Sequence, residues 1–214
     1  APDDVALPTR QDGTTGGAPD ELRDKPPHYL DDYFGRIRTD GSGPHNRLSE
    51  LTDDNVRETI ALTYGMMTLV DDSVGRMWDA MDALGLWENT LVVYCSDHGD
   101  LMGDHRLMNK GPFHYEDLVR VPFIARWPGR IQAGALSDEP VELTDLMGTV
   151  AGIIDVELPD EAGPDSYDIS PALFGRDRDE PIREAIVSHS ENGSYAIRQG
   201  SWKLIVGTDG AGGW

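Results

Sequence analysis

The sequence predicts an α/β fold in which one long amphipathic helix leads into an uncharged strand, with a smaller antiparallel unit after it. Three observations carry that expectation. Apolar residues recur at helical spacing from Val56 to Leu84, and a strand-forming run, Leu91-Val92-Val93-Tyr94-Cys95, follows within a few residues. After Ile182 the texture changes to short strand-like runs separated by turn residues. A helix, a short turn and a strand in succession make an α-to-β unit, and α/β sheets bind ligands beyond the carboxyl ends of their strands.

In chain order, residues 1 to about 50 are rich in Pro, Gly, Asp and Arg without a sustained period, which predicts surface loops and short helical turns. His28 and His45 follow prolines there and read as surface residues. Thr52-Asp53-Asp54 is an N-cap followed by first-turn acids, and Val56, Ile60, Tyr64, Met67, Val74, Met77, Met81 and Leu84 mark the apolar face. The methionines at 66, 67, 77 and 81 are expected to fill core. Gly85 suits the position just past the helix end.

Val119 to Trp127 reads as a second strand, stopped by Pro128-Gly129, with Pro122 near its start or on an edge. Thr144-Asp145 is expected to cap a shorter helix through about Ile154, and Ser170-Pro171 opens a brief one ending at Gly175. Ala185 to Ser188, Tyr195 to Arg198 and Trp202 to Val206 are expected strands, and Gln199-Gly200-Ser201 is a hairpin signal between the last two.

The 214 residues, 38% hydrophobic and 27% charged, have a globular composition, and no apolar run approaches the roughly 20 residues that span a bilayer. No signal peptide is visible, which leaves the compartment open for an expected soluble protein, and oligomeric state is not readable. With 39 acids against 18 bases the formal charge is −21, which disfavours nucleic acid and anionic membranes as partners. Lys25, Lys110 and Lys203 are the only lysines. A Lys-poor, Asp-rich surface fits a halophilic protein whose self-repulsion is screened by salt, and fits an ordinary acidic protein equally well. Cys95, the single cysteine, excludes an intrachain disulfide and reads as a packed strand residue rather than a nucleophile.

The densest chemistry lies where the first strand ends, at Ser96-Asp97-His98-Gly99-Asp100, and continues through Gly103-Asp104-His105 to Lys110. Asp97 and His98 can offer an oxygen and a nitrogen to one divalent cation; the plainer alternative is a carboxylate capping a turn beside a histidine bonded to backbone. Gly99 and Gly103 let the loop fold back, and Lys110, thirteen residues past Asp97, stands where such a loop returns. An ammonium opposite a metal would clamp a sulfuryl or phosphoryl group. His105 either lines that cavity or holds the loop.

The order and spacing of Asp72-Ser73-Val74-Gly75, Gly85-Leu86-Trp87-Glu88-Asn89-Thr90, Ser96-Asp97-His98-Gly99-Asp100-Leu101-Met102-Gly103-Asp104-His105, Lys110, Glu116 and Arg120-Val121-Pro122-Phe123 resemble the type I sulfatase family of the alkaline phosphatase superfamily. Weaker similarity covers Asp3 to Pro8, Thr144-Asp145-Leu146, and the pair Ala196-Ile197-Arg198 with Trp202-Lys203-Leu204-Ile205. The resemblance implies a partial alkaline-phosphatase-like fold, a mixed or parallel sheet flanked by helices. Residues 1–178 would form the C-terminal half of the catalytic domain, and 179–214 the beginning of a small antiparallel C-terminal domain.

It further implies that Asp97 and His98 are metal ligands, and that Lys110 binds the ester's sulfate and bridging oxygen and takes part in catalysis. Calcium is the metal expected, with manganese or zinc as alternatives given the imidazole. The expected substrates are small-molecule or carbohydrate sulfate esters. Where the family carries Pro-Thr in the helix after Asp145, this chain has Gly148-Thr149, a departure that concerns packing. The family's Asp-Asp metal pair and the Cys-x-Pro-x-Arg segment that yields its formylglycine nucleophile do not occur in these residues. The chain is therefore expected to be a fragment whose nucleophile lies upstream and which is inactive alone. The alternatives are a phosphonate or phosphate ester hydrolase of the same superfamily, and a non-catalytic cation- or partner-binding fragment.

Overall fold

Thr52 starts the longest element. Its hydroxyl accepts the Asn55 N–H at 3.2 Å while the Asn55 side chain accepts the Thr52 N–H at 3.0 Å, a reciprocal cap for α1 (Asp53–Leu84). Asp53 and Asp54 place negative charge against the positive end of the helix dipole. At the far end Gly85 takes the left-handed conformation (φ 63°, ψ 36°) that a side chain disfavours, and donates to the Asp82 carbonyl. The structure, a computed structural model, describes residues 4–6, 33, 52–110, 113–176, 178–190 and 194–206. The expectations for His28 and His45, and for nearly all of residues 1–50, lie outside them.

α1 has the expected length and caps, but its apolar face is not core. Only Val56 and Ile60 are buried, and Met66, Met67 and Met77 are exposed. Helical spacing fixes which residues share a face, not whether another element covers it, and in the described residues the aromatic contacts of α1 lie at its C-terminal end. There the Arg126 guanidinium lies 3.9 Å from the Trp87 ring and 4.7 Å from that of Trp78. The two indoles are themselves 4.7 Å apart, and Trp127 donates its Nε1–H to the Glu88 carbonyl.

Those contacts bring the helix end to a two-stranded sheet. β1 (Val92–Cys95) and β2 (Phe123–Arg126) pair antiparallel, Val92 opposite Arg126 and Cys95 opposite Phe123. β2 is shorter than the run from Val119 suggested. Glu116–Val119 forms a single helical turn, α2, and Pro122, with no N–H to donate, stands just before the strand. Cys95 is exposed rather than packed, a second departure from the expected core.

α3 (Asp145–Ile153) and α4 (Ser170–Leu173) lie side by side through polar contacts. Thr144 was expected to cap α3, but its backbone is already helical (φ −59°, ψ −25°) and its hydroxyl makes no cap. Asp145, fully buried, instead ties the helix start to its surroundings: Oδ2 accepts the Glu142 N–H at 2.7 Å, and Oδ1 accepts the Tyr167 N–H at 3.0 Å and an Arg183 guanidinium N–H. Arg183 also donates to Glu142 at 2.5 Å and packs over the Tyr167 ring. The Gly148 departure has a physical reason here. Its N–H donates to Ser166 Oγ at 2.7 Å, a bond that a proline at this position could not make.

β3 (Ile186–His189), β4 (Tyr195–Gln199) and β5 (Trp202–Val206) form an antiparallel sheet in that order. Gln199 pairs with Trp202 across the Gly200-Ser201 turn, as the hairpin signal implied. Ser188, Ala196 and Ile205 stand in register, and Ala196 is buried. Among the described residues no helix is long and apolar enough to cross a membrane.

Candidate functional site

β1 ends at Cys95, and the chain turns through Ser96, whose hydroxyl donates to the His98 carbonyl at 2.8 Å. Asp97 Oδ1 accepts the His98 N–H at 3.0 Å, which fixes one carboxylate oxygen and leaves Oδ2 facing the imidazole. His98 Nδ1 lies 2.7 Å from the Gly99 carbonyl, and since only an N–H can satisfy a carbonyl, this contact assigns the proton to Nδ1. Nε2, the other ring nitrogen, lies 3.7 Å from Asp97 Oδ2. Two ligands about 2.3 Å from a shared cation, at a right angle or somewhat wider, stand about 3.3–3.8 Å apart. The pair is exposed and fits as two ligands of one divalent ion; the plainer alternative, a capped turn with a backbone-bonded histidine, supplies the hydrogen bonds that orient it. Among the described residues no group of three or more ligand-type side chains gathers.

Gly99 is required by close approach. Its N–H donates to the Leu118 carbonyl at 2.9 Å, and a Cβ built there would lie 1.7 Å from the Asp117 carbonyl oxygen. The strand end is therefore pressed directly onto α2.

The loop beyond it returns as expected. Leu101 N–H donates to the Asn109 carbonyl at 3.0 Å and Gly103 N–H to the Leu107 carbonyl at 2.8 Å, while Leu101 and Leu107 are fully buried beneath. Lys110 follows the closing bond directly and is exposed. His105 sits at the tip with φ 50°, its ring stacked 3.8 Å from that of Tyr115 and its Nε2 3.9 Å from Asp117 Oδ2. The structure thus joins Asp97 to His98 directly, ties His105 to the Tyr115–Asp117 segment, and sets Lys110 at the loop's closure.

Sequence reasoning missed His114. It is 3% exposed, with Nδ1 2.9 Å from Ser188 Oγ and Nε2 3.0 Å from Ser194 Oγ. Burial, then the charge of Lys203, then His189 hold its pKa below the ordinary value of 6.5, so the ring is neutral. Its partners are 74 and 80 residues away, beyond the reach of local patterning. The available signal was an imidazole between two aromatics, Phe113 and Tyr115.

Comparison with known proteins bears on what this arrangement is. The family model described as Sulfatase matches residues 16–156. Choline-sulfatase of Rhizobium meliloti is 30% identical over 192 residues, a match that covers 83% of this chain and 36% of that protein. Among solved structures, a 2-O GAG sulfatase aligns with a TM-score of 0.66 at 26% identity, over 76% of this chain and 37% of that one. The phosphonate monoester hydrolase of Agrobacterium radiobacter aligns with a TM-score of 0.64 at 26% identity, over 80% and 36%. The chain spans between 21% and 36% of the length of the first curated relatives it matches.

Proposed function

The chain belongs to the sulfatase family, and on that premise we propose that it forms part of a hydrolase that cleaves sulfate esters of small molecules or carbohydrates. The observation that carries the proposal is the strand-end pair, Asp97 Oδ2 and His98 Nε2, 3.7 Å apart at the mouth of the loop that delivers Lys110. The family works with a divalent metal and a formylglycine. Here Asp97 and His98 would hold the metal as two of its ligands, calcium in the first place, with manganese or zinc suited to the imidazole. The bound ion supplies positive charge against the ester's oxygens.

The chain's own residues do the rest of what can be assigned. Lys110, an exposed ammonium, binds the sulfate and stabilises the charge that develops on the leaving oxygen. His105, stacked on Tyr115, lines the substrate side of the loop. Ser96 and the Gly99 carbonyl orient His98, so its Nε2 is kept available. Cys95 is followed by Ser96-Asp97-His98 and does not match the Cys-x-Pro-x-Arg pattern, so the nucleophile is assigned to a part of the enzyme outside residues 1–214. The likeness to a phosphonate monoester hydrolase keeps a second substrate class in view, with the same pair and lysine acting on a phosphonate ester.

Calorimetric titration of the enzyme containing this segment with calcium, manganese and zinc tests the metal assignment, using Asp97→Ala and His98→Ala as controls. Binding that both substitutions abolish is expected; binding indifferent to either overturns it. Turnover of an aryl sulfate against an aryl phosphonate by the enzyme containing this segment, with Lys110→Ala alongside, decides between the two ester classes.

A further inference from the structure

The segment from Phe113 to Leu118 faces two ways. On one side it supports the candidate site: the Leu118 carbonyl accepts the Gly99 N–H, and Tyr115 stacks on His105. On the other it is gripped by all three strands of the C-terminal sheet. Ser188 of β3 reaches His114 Nδ1, Ser194 immediately before β4 reaches Nε2, and Lys203 of β5 donates its ammonium to the His114 carbonyl at 2.7 Å. Ser190 braces Ser194 at 2.8 Å, and the Lys203 ammonium is 3.7 Å from Glu116 Oε1.

We propose that His114 is a positioning residue through which the C-terminal sheet sets the placement of the metal-ligand loop, acting through Phe113–Leu118 on Gly99 and His105. The proposal deepens the sulfatase reading and rests on it only for what the positioned loop does. The physical ground is satisfaction. A buried neutral imidazole with a hydroxyl at each nitrogen has no hydrogen bond to gain by moving, and two to lose. Both hydroxyls belong to the sheet, so the ring cannot shift without the sheet shifting. Burial of the neighbouring Phe113 and Leu118 leaves the segment little room to absorb such a shift locally. A packing residue of similar size would fill the same space but would transmit no orientation, because nonpolar contact is not directional.

The test compares His114→Ala, His114→Gln, Ser188→Ala and Ser194→Ala with the unmodified chain. Hydrogen–deuterium exchange is read at the amides of residues 97–110, at α1, and at β3 to β5. Loss of one buried hydrogen bond corresponds to roughly a tenfold faster local opening. We therefore expect exchange at 97–110 to rise about tenfold in Ser194→Ala and further in His114→Ala, with α1 unchanged and His114→Gln partly restoring protection. If His114→Ala fails to fold, the two serine variants carry the same reading. Faster exchange in the sheet alone, with 97–110 unaltered, overturns the positioning role whatever the activity. In the enzyme containing this segment, His114→Ala should also weaken calcium binding and raise KM for an aryl sulfate more than His114→Gln does. Altered exchange at 97–110 together with no sulfate-ester turnover by the unmodified enzyme overturns the sulfatase reading while the positioning role stands.

Discussion

Replacing Asp145 by alanine should unfold this chain more readily than any change at the neighbouring Thr144. The Asp145 carboxylate is fully buried and accepts from the Glu142 and Tyr167 backbone N–H groups and from Arg183. Its removal orphans two amide donors and strips one partner from a guanidinium whose side chain is 6% exposed. Breaking a buried ion pair from one side costs about 3–5 kcal/mol, because the remaining charge is left desolvated. Glu142 still reaches Arg183 at 2.5 Å, which places the expected loss near about 3 kcal/mol rather than the upper end. Thr144→Ala, lacking any cap to lose, should cost under about 0.5 kcal/mol. Urea unfolding of the chain and both variants, followed by far-ultraviolet circular dichroism, measures the difference as a shift in midpoint at constant slope. A loss of less than about 1 kcal/mol for Asp145→Ala, or equal losses for the two substitutions, would refute the role of Asp145 in joining α3 to Tyr167 and Arg183.

Three further outcomes are expected. Gly99→Ala places a methyl on the Asp117 carbonyl and should cost about 1–3 kcal/mol or more while weakening calcium binding; an unchanged melting temperature and affinity would contradict the close approach. His114, faced by Lys203, His189 and, through Lys203, Glu116, binds a proton less readily folded than unfolded. The stability it contributes is complete above about pH 6.5 and is lost as pH falls through its lower folded value, so denaturation midpoints should drop over that window and His114→Gln should flatten the drop. The net charge of −21 should make the melting temperature rise between about 0.1 M salt, where charges reach roughly 10 Å, and about 1 M, where they reach roughly 3 Å. Equal stability at both salts would remove the halophilic reading and leave an ordinary acidic protein.

Features set within a few residues were legible in the sequence. Thr52 with Asn55 and the C-terminal Gly85 bound α1, and Gln199 to Trp202 close a hairpin, because caps and turns are made by near neighbours. The return of the loop to Lys110 could be anticipated from its glycines. Features made by distant partners were not legible. The antiparallel match of β1 to β2 depends on a pairing that period cannot specify, and Val119 has strand propensity yet ends a helical turn. Thr144-Asp145 reads locally as a helix cap, whereas Asp145 is bonded to Arg183, 38 residues on. The exposed methionines of α1 show the same limit from the other side. A periodic face states what could be buried, and only a neighbouring element decides it.

The loop between Asp97 and Lys110 is tied shut by main-chain atoms, Leu101 to Asn109 and Gly103 to Leu107, over two buried leucines. Its closure rests on those main-chain bonds, and the left-handed backbone at position 105 (φ 50°) would accept asparagine or glycine with less strain than histidine, at the loss of the ring's stack on Tyr115. A change at position 105 therefore trades backbone strain against the contact that ties the loop to the Tyr115–Asp117 segment, while the hoop that carries Lys110 keeps its two closing bonds.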